Sequence, residues 1–402
     1  MAQNQKTHSY SGHPMFSIRY QQLFQARKAL MHTCGILQGK KVHIIDKDFE
    51  AHLPLLKNSN RKGTFIERFI TYPAWQPTLS IESMDGETWK TLQHQFRRVF
   101  TSLPWKTELP KIIEEEIRFV TNPVIDNYKF RKILAQILHR LVFEFKADES
   151  TITLICDASI EWSKELALKG KGCSQTKELF WQHFQHLTRN SRHYPDQDLS
   201  HHQEIILMSA IAQPIFISPL INICDIFASV TEIITQDPQW EAWLIQKQTE
   251  GSRSSLLHFL FEAIRVYHPF PILERELTKD MKIHGKDFLR GEQIFFVLDT
   301  FQINREIQPD QWEDPQPHQK AFLFGAGPRG CVGQQLAELL IQETLWNLVQ
   351  NHISLKHLNE NANISGRIND SNPLPNEGRY QFTRMGSLIK QSLNVRLTRT
   401  SL

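Results

Sequence analysis

An apolar run gives way to a glycine-rich loop with one Arg and one Cys, and the loop opens into a helical pattern. It reads Phe324-Gly325-Ala326-Gly327-Pro328-Arg329-Gly330-Cys331-Val332-Gly333. No other stretch constrains the fold so strongly. The residues from Gln334 to Trp346 read as an amphipathic helix, so Cys331 is expected at a helix N-terminus. There, unsatisfied N–H groups and the positive end of the dipole favour a thiolate over a thiol. A thiolate on a glycine loop, with Arg329 two residues before it, is a place to hold a metal.

Two other readings compete. Gly325-x-Gly327-x-x-Gly330 also satisfies a dinucleotide fingerprint, which wants an acidic residue about 20 positions further on. The chain has Gln350, Asn351 and His352 there, and Pro328 and Arg329 suit a pyrophosphate turn poorly. The plainer reading is a buried, inert Cys in a turn. What surrounds the motif argues against both.

Phe-x-x-Gly-x-Arg-x-Cys-x-Gly resembles the heme-binding signature of the cytochrome P-450 family. The match falls at Phe324, Gly327, Arg329, Cys331 and Gly333, and Ala337 also suits the family's helix. A second signature, Glu-x-x-Arg, stands at Glu262-Ala263-Ile264-Arg265. Alone it is weak, because i, i+3 ion pairs on helices are common. Its place gives it value: Tyr267-His268-Pro269-Phe270-Pro271 follows as a turn, then Arg275. Next come Asp280-Met281-Lys282-Ile283-His284-Gly285 and Arg290-Gly291-Glu292-Gln293-Ile294, which read as short strands joined by turns. Asp85-Gly86-Glu87-Thr88-Trp89-Lys90, followed by Phe100, looks like the family's Trp-bearing helix.

The resemblance implies a mainly α fold with a smaller β-rich region, residues 1–402 forming a single large heme-enclosing unit. It implies heme b, with Cys331 as axial ligand to the iron. An axial thiolate pushes electron density toward O–O cleavage. Phe324 is expected beside the sulfur, with Gly327 and Gly333 letting the backbone approach it. Arg329 and Arg275 match the family's propionate arginines, Trp89 offers its indole N–H, and Gln93 stands where the family often has an Arg. Glu262 and Arg265 are expected to form a buried pair behind the heme. Their usual third partner, an Arg, has no counterpart in the short stretch Trp312 to His318, where His318 is the substitute at hand.

The family pattern fails on the distal side. No acid–Thr pair occurs between Ile205 and Val230; counting back from Pro238 puts those positions at Ile221 and Asn222. Pro219 is expected to kink the helix. A Pro in this helix resembles the family's peroxygenase branch, where an Arg-Pro pair replaces acid–Thr, but the nearest X-Pro pairs here, Ser218-Pro219 and Gln213-Pro214, lack the Arg and neither sits at the counted position. Asn222 either relays protons through a water or bonds backbone groups freed by the kink.

The resemblance therefore implies a monooxygenase that inserts one oxygen atom from O2 into an apolar substrate. Electrons would come from a separate ferredoxin- or flavodoxin-type partner. The missing pair raises an alternative, a peroxide-driven peroxygenase or a lyase/isomerase. A third reading is a non-catalytic heme or ligand-binding protein. Substrate contacts are expected from Phe65, Tyr72, Trp75 and Leu79, from the central helix, from Phe270-Pro271-Ile272-Leu273, and from Phe382 to Leu388.

Composition narrows the classes. A net charge of +3 is too mild to argue for nucleic acid. Cys34, Cys156, Cys173, Cys224 and Cys331 are odd in number and widely spaced, which points to a reducing, cytoplasmic compartment rather than a disulfide framework. Met1 to Ser9 has no apolar core, so neither signal peptide nor membrane anchor is expected. Ile205 to Val230 is apolar but contains Gln213, Pro214, Pro219, Asn222 and Asp225, and reads as a buried helix.

Overall fold

A computed structural model describes residues 39–59, 61–62, 72–166, 172–266, 268–269, 272–298 and 306–354. The elements run in chain order as β1 (Val42–Ile45) and α1 (Phe49–Lys57), then α2 (Gly86–Ser102), α3 (Trp105–Arg118), α4 (Asn127–Phe143), α5 (Glu149–Leu166) and α6 (Ser174–Arg189). A long central helix follows in three parts: α7 (His201–Ile211), a π-helical stretch (Ala212–Ile217) and α8 (Ser218–Gln236). The chain continues with α9 (Gln239–Thr249), α10 (Arg253–Val266), β2 (Ile272–Glu276), β3 (Met281–Ile283), β4 (Lys286–Phe288), β5 (Gln293–Val297), α11 (Pro317–Phe324) and α12 (Gln334–Gln350). The fold is thus mainly α with a smaller β-rich region, as expected.

The central helix starts where Ser200 and Gln203 close a capping box. Among the described residues it is the one helix long and apolar enough to cross a membrane, but 72% of its most apolar window is buried inside the protein. Pro214 lies inside the π-helical stretch and Pro219 just past it. Each proline lacks an N–H and crowds the carbonyl four residues back. The expected distortion is therefore present, but it begins before Pro219 and takes the form of a widened turn.

In α2, Trp89, Leu92, Phe96 and Val99 line one buried face; the helix packs on α7. Helix α10 packs on both α8 and α12, and α12 also lies against α3. One continuous apolar core reaches from Ile45 to Ile353 through these helices.

The strands sit to one side. β5 pairs parallel with β1 and antiparallel with β2, Arg275 standing opposite Ile294. The central strand, Gln293-Ile294-Phe295-Phe296-Val297, is buried throughout. β3 and β4 form a hairpin turned by His284 and Gly285, both in the left-handed region at φ 50° and 78°. That is the geometry a two-residue hairpin loop prefers.

Candidate active site

Helix α11 stops at Gly325, whose φ is 72°. A short 3₁₀ turn, Gly327–Arg329, follows, and the Cys331 N–H donates to the Phe324 carbonyl at 2.7 Å to close the loop. Gly327 has φ 68°, and a Cβ there would lie 2.7 Å from the Leu56 carbonyl oxygen and the Lys57 Cα. The close approach that Gly327 permits is therefore to the last turn of α1, not to the sulfur. Gly333 differs: a Cβ there would meet nothing within 4 Å. Protein packing alone does not require a glycine beside Cys331.

Gly333 caps α12 and its N–H donates to the Cys331 sulfur. Cys331 is exposed, yet desolvation pushes its free thiol from 9.0 up to about 11, opposed by the Gly333 N–H and reinforced by the charges of Glu82 and Glu338. An accessible but desolvated sulfur faces an internal cleft rather than the outer surface. The expectation that the helix terminus by itself makes a thiolate is corrected: burial outweighs one N–H and a dipole. A bound cation is needed to ionise this sulfur at neutral pH.

The four residues expected around the propionates gather at this loop. The Arg329 guanidinium pairs with Asp85, donates to the Ile81 carbonyl at 3.3 Å and stacks 4.2 Å above the Trp89 ring. The Asp85 carboxylate also accepts from the Lys62 N–H at 3.0 and 3.2 Å. Gln93 Nε2 donates to the Pro328 carbonyl at 3.4 Å. Arg275, 2% exposed, donates to the carbonyls of Glu274 at 2.7 Å and Arg329 at 3.2 Å. Arg329 thus faces a carboxylate of the protein's own, a partner that no local pattern announced.

Behind the loop, Glu262 is fully buried and accepts from Arg265 Nε and Nη2, both at 2.7 Å. A parallel fork of this kind is the stronger form of Arg–carboxylate pair. The remaining acceptor sites on Glu262 take the Gln308 N–H at 2.8 Å, Gln311 Nε2 at 2.5 Å and Trp312 Nε1 at 2.7 Å. His318 is not the substitute third partner; it stands 3.5 Å from Glu50 instead. An indole and an amide take the place of a cation. Phe324, at the end of α11, packs edge-on against Phe261 of α10, centroids 6.1 Å apart.

On the other side, the turn before α2 is laced to the central helix. Leu79 N–H donates to Ser209 Oγ at 3.0 Å and Ile81 N–H to Gln213 Oε1 at 3.3 Å. Asn222 Nδ2 donates to Ser218 Oγ at 3.0 Å, and that hydroxyl donates to Glu82 Oε1 at 3.2 Å. Asn222 therefore bonds neither freed backbone nor, directly, a carboxylate, but connects through Ser218 to Glu82. Nothing in the local sequence singled out Glu82. Gln213 Nε2 is buried without a hydrogen-bond partner among the described residues.

Of the expected substrate-facing positions, Trp75 is buried core, its carbonyl accepting from Trp162 Nε1 at 3.1 Å, and Tyr72 is 39% exposed at the surface. Leu79, Ile272 and Leu273 are half-buried. Phe65, Phe270, Pro271 and Phe382 to Leu388 lie outside the described residues, as does Cys34.

These residues suit a heme. Among the described residues no three His, Cys, Asp or Glu side chains gather as a metal site. A lone sulfur can complete the coordination only of a metal whose other ligands come with a cofactor. Buried guanidinia beside it match a cofactor edge carrying carboxylates.

Residues 255–366 match the cytochrome P-450 family model. A mitochondrial cytochrome P-450 4e5 from Drosophila mettleri is 30% identical over 148 residues, 35% of this chain and 28% of the relative. A beta-amyrin 16-alpha-hydroxylase from Maesa lanceolata is 32% identical over 117 residues, 25% of each chain. The chain thus spans about a quarter of the length of the curated relatives it matches. Among solved structures, CYP175A1 from Thermus thermophilus superposes with a TM-score of 0.58 at 16% identity, covering 82% of this chain and 89% of that one. The cytochrome P-450 BioI, in complex with hexadec-9Z-enoic acid ligated to acyl carrier protein, gives 0.57 at 15% identity, covering 77% and 84%. At such identities the likeness is one of fold.

Proposed function

We propose that this chain is a member of the cytochrome P-450 family and a heme-thiolate monooxygenase that inserts one oxygen atom into an apolar substrate, a reading supported by the family-model match, the curated relatives and the shared fold. The observation that carries the reading is Cys331, held in a loop that aims the Gly333 N–H at its sulfur and turns it toward an internal cleft. When bound there, heme b supplies the redox chemistry that cleaves an O–O bond.

The chain's own residues hold and tune that group. Cys331 would hold the iron, and the Gly333 N–H withdraws charge from the sulfur. Arg275, Arg329, Trp89 and Gln93 would form the polar edge toward the propionates, with Asp85 limiting the net positive charge there. Phe324 and Gly327 keep the loop's shape, and the Glu262 network locks α10 to the segment before α11. The turn at residues 78–84 and the π-helical stretch wall off the substrate side. A long apolar chain, such as the acyl group that the structural neighbour carries, suits those walls. Electrons come from a separate ferredoxin- or flavodoxin-type donor, and a cytoplasmic location agrees with the spaced, free cysteines.

A second reading, a peroxide-driven peroxygenase, is favoured by one observation: Ile221 and Asn222 stand where the acid–Thr pair is expected, with Ser218-Pro219 one turn before them. The ferrous–CO spectrum of the heme-loaded protein is expected to show the red-shifted Soret band of a thiolate ligand, and Cys331→Ala to abolish it. An unchanged band in the variant refutes the assignment. Turnover only with a reductase supports the first reading; turnover with peroxide alone supports the second.

A further inference from the structure

We propose that Glu82 is the proton-handling carboxylate of this site, acting through Ser218 with Asn222 as a positioning residue; this rests on the heme-thiolate reading above. The central helix carries no acid at the expected place, and Ile221 stands there instead. The carboxylate arrives from another element, the turn before α2. Three contacts hold that turn between the central helix and the Cys loop. The Leu79 and Ile81 N–H groups donate to Ser209 and Gln213 on the helix, and the Ile81 carbonyl accepts from Arg329 of the loop at 3.3 Å. Glu82 is thereby fixed beside Ser218, which donates to it at 3.2 Å while accepting from Asn222 at 3.0 Å. The same turn touches the Cys loop one residue before Glu82, where the Ile81 carbonyl accepts from Arg329.

A carboxylate and a hydroxyl in a hydrogen-bonded chain can take up and return a proton, whereas the Asn222 amide only orients Ser218. With hydrogen peroxide as oxidant the balance is R–H + H2O2 → R–OH + H2O. Glu82 takes the proton from one peroxide oxygen and returns it to the other, which leaves as water, and the first oxygen goes to the substrate. Proton and carboxylate are both regenerated, so the protein supplies no electrons.

The test uses the heme-loaded full chain and Glu82→Gln, which keeps an acceptor for Ser218 Oγ but cannot carry a proton. The first readout is the association rate of cyanide with the ferric protein, because HCN must lose its proton as the anion binds. Glu82→Gln is expected to slow this association about tenfold or more and to lower peroxide-driven turnover about 100-fold, within the range of general acid–base effects. Glu82→Asp restores part of both. Wild-type cyanide association and peroxide turnover in Glu82→Gln, at equal heme loading, overturn the proposal. If Glu82→Gln does not load heme, Ser218→Ala decides: slowed association supports the chain and a wild-type rate refutes it. A wild-type protein without the thiolate CO band refutes the heme-thiolate reading itself, and the proposal falls with it.

Discussion

The Cys331 thiol keeps its proton up to about 11 because desolvation outweighs the Gly333 N–H, while the charges of Glu82 and Glu338 work in the same direction as burial. Cys173 behaves oppositely: exposed at the start of α6, it is lowered by hydrogen bonds involving Thr176. Cys156 and Cys224 are buried, and burial raises both. The thiolate is the reactive form. In heme-free protein at pH 7.5, site-resolved mass spectrometry with a thiol reagent is therefore expected to find Cys173 modified well before Cys331. Labelling of Cys331 should accelerate as pH approaches about 11. Equal rates at pH 7.5 would contradict the desolvated placement of Cys331. Heme loading should protect Cys331 and leave Cys173 unchanged.

Among the elements, the junction of α1 with the Cys loop rests on one glycine. Gly327 combines a left-handed backbone with a Cβ position only 2.7 Å from α1 backbone atoms. Backbone cannot swing away as a flexible side chain can, so a methyl group there must displace either α1 or the loop. Gly327→Ala is expected to cost at least about 2 kcal/mol, combining left-handed strain with a backbone clash. Gly333→Ala, with open space at its Cβ, should change heme-free stability by less than about 1 kcal/mol, the cost of a poorer N-cap. Urea titration of both variants measures the difference, and similar midpoints would show that Gly327 does not carry the contact. The central helix shows the same logic on a larger scale. Pro214 and Pro219 remove hydrogen bonds, the turn between them widens, and Ser209 and Gln213 turn their side-chain oxygens to the N–H groups of the turn before α2.

Across the whole molecule, ionisable groups set a pH window for stability. Burial lowers His43, His139, His183, His193 and His258 below their ordinary 6.5. Their contribution is present above 6.5 and is lost as pH falls through their folded values. Burial raises Cys156, Cys224 and Cys331 above 9.0, and Tyr128 above its ordinary value as well. Their contribution is complete below 9.0 and is lost as pH rises, toward about 11 for Cys331. Urea midpoints of the heme-free protein are expected to form a plateau between about 6.5 and 9 and to fall on both sides. A midpoint still rising above pH 9 would contradict the assignment. The fold class, the Cys331 loop, the Glu262–Arg265 pair and the Trp89 helix were legible from sequence because each rests on local spacing, which residues a few positions apart set through helix periodicity and turn geometry. The partners that complete the site were not. Asp85 meets Arg329 across 244 positions, Glu82 meets Ser218 across 136, and Trp312 reaches Glu262 across 50. No periodicity encodes such pairs, because they depend on how helices pack and which groups that packing desolvates. Sequence alone determined that Cys331 is the residue to hold a metal. The tertiary structure decided that its sulfur is a protonated thiol until a cation binds, and that the carboxylate beside Ser218 is Glu82, because both are consequences of burial and of distant segments brought together.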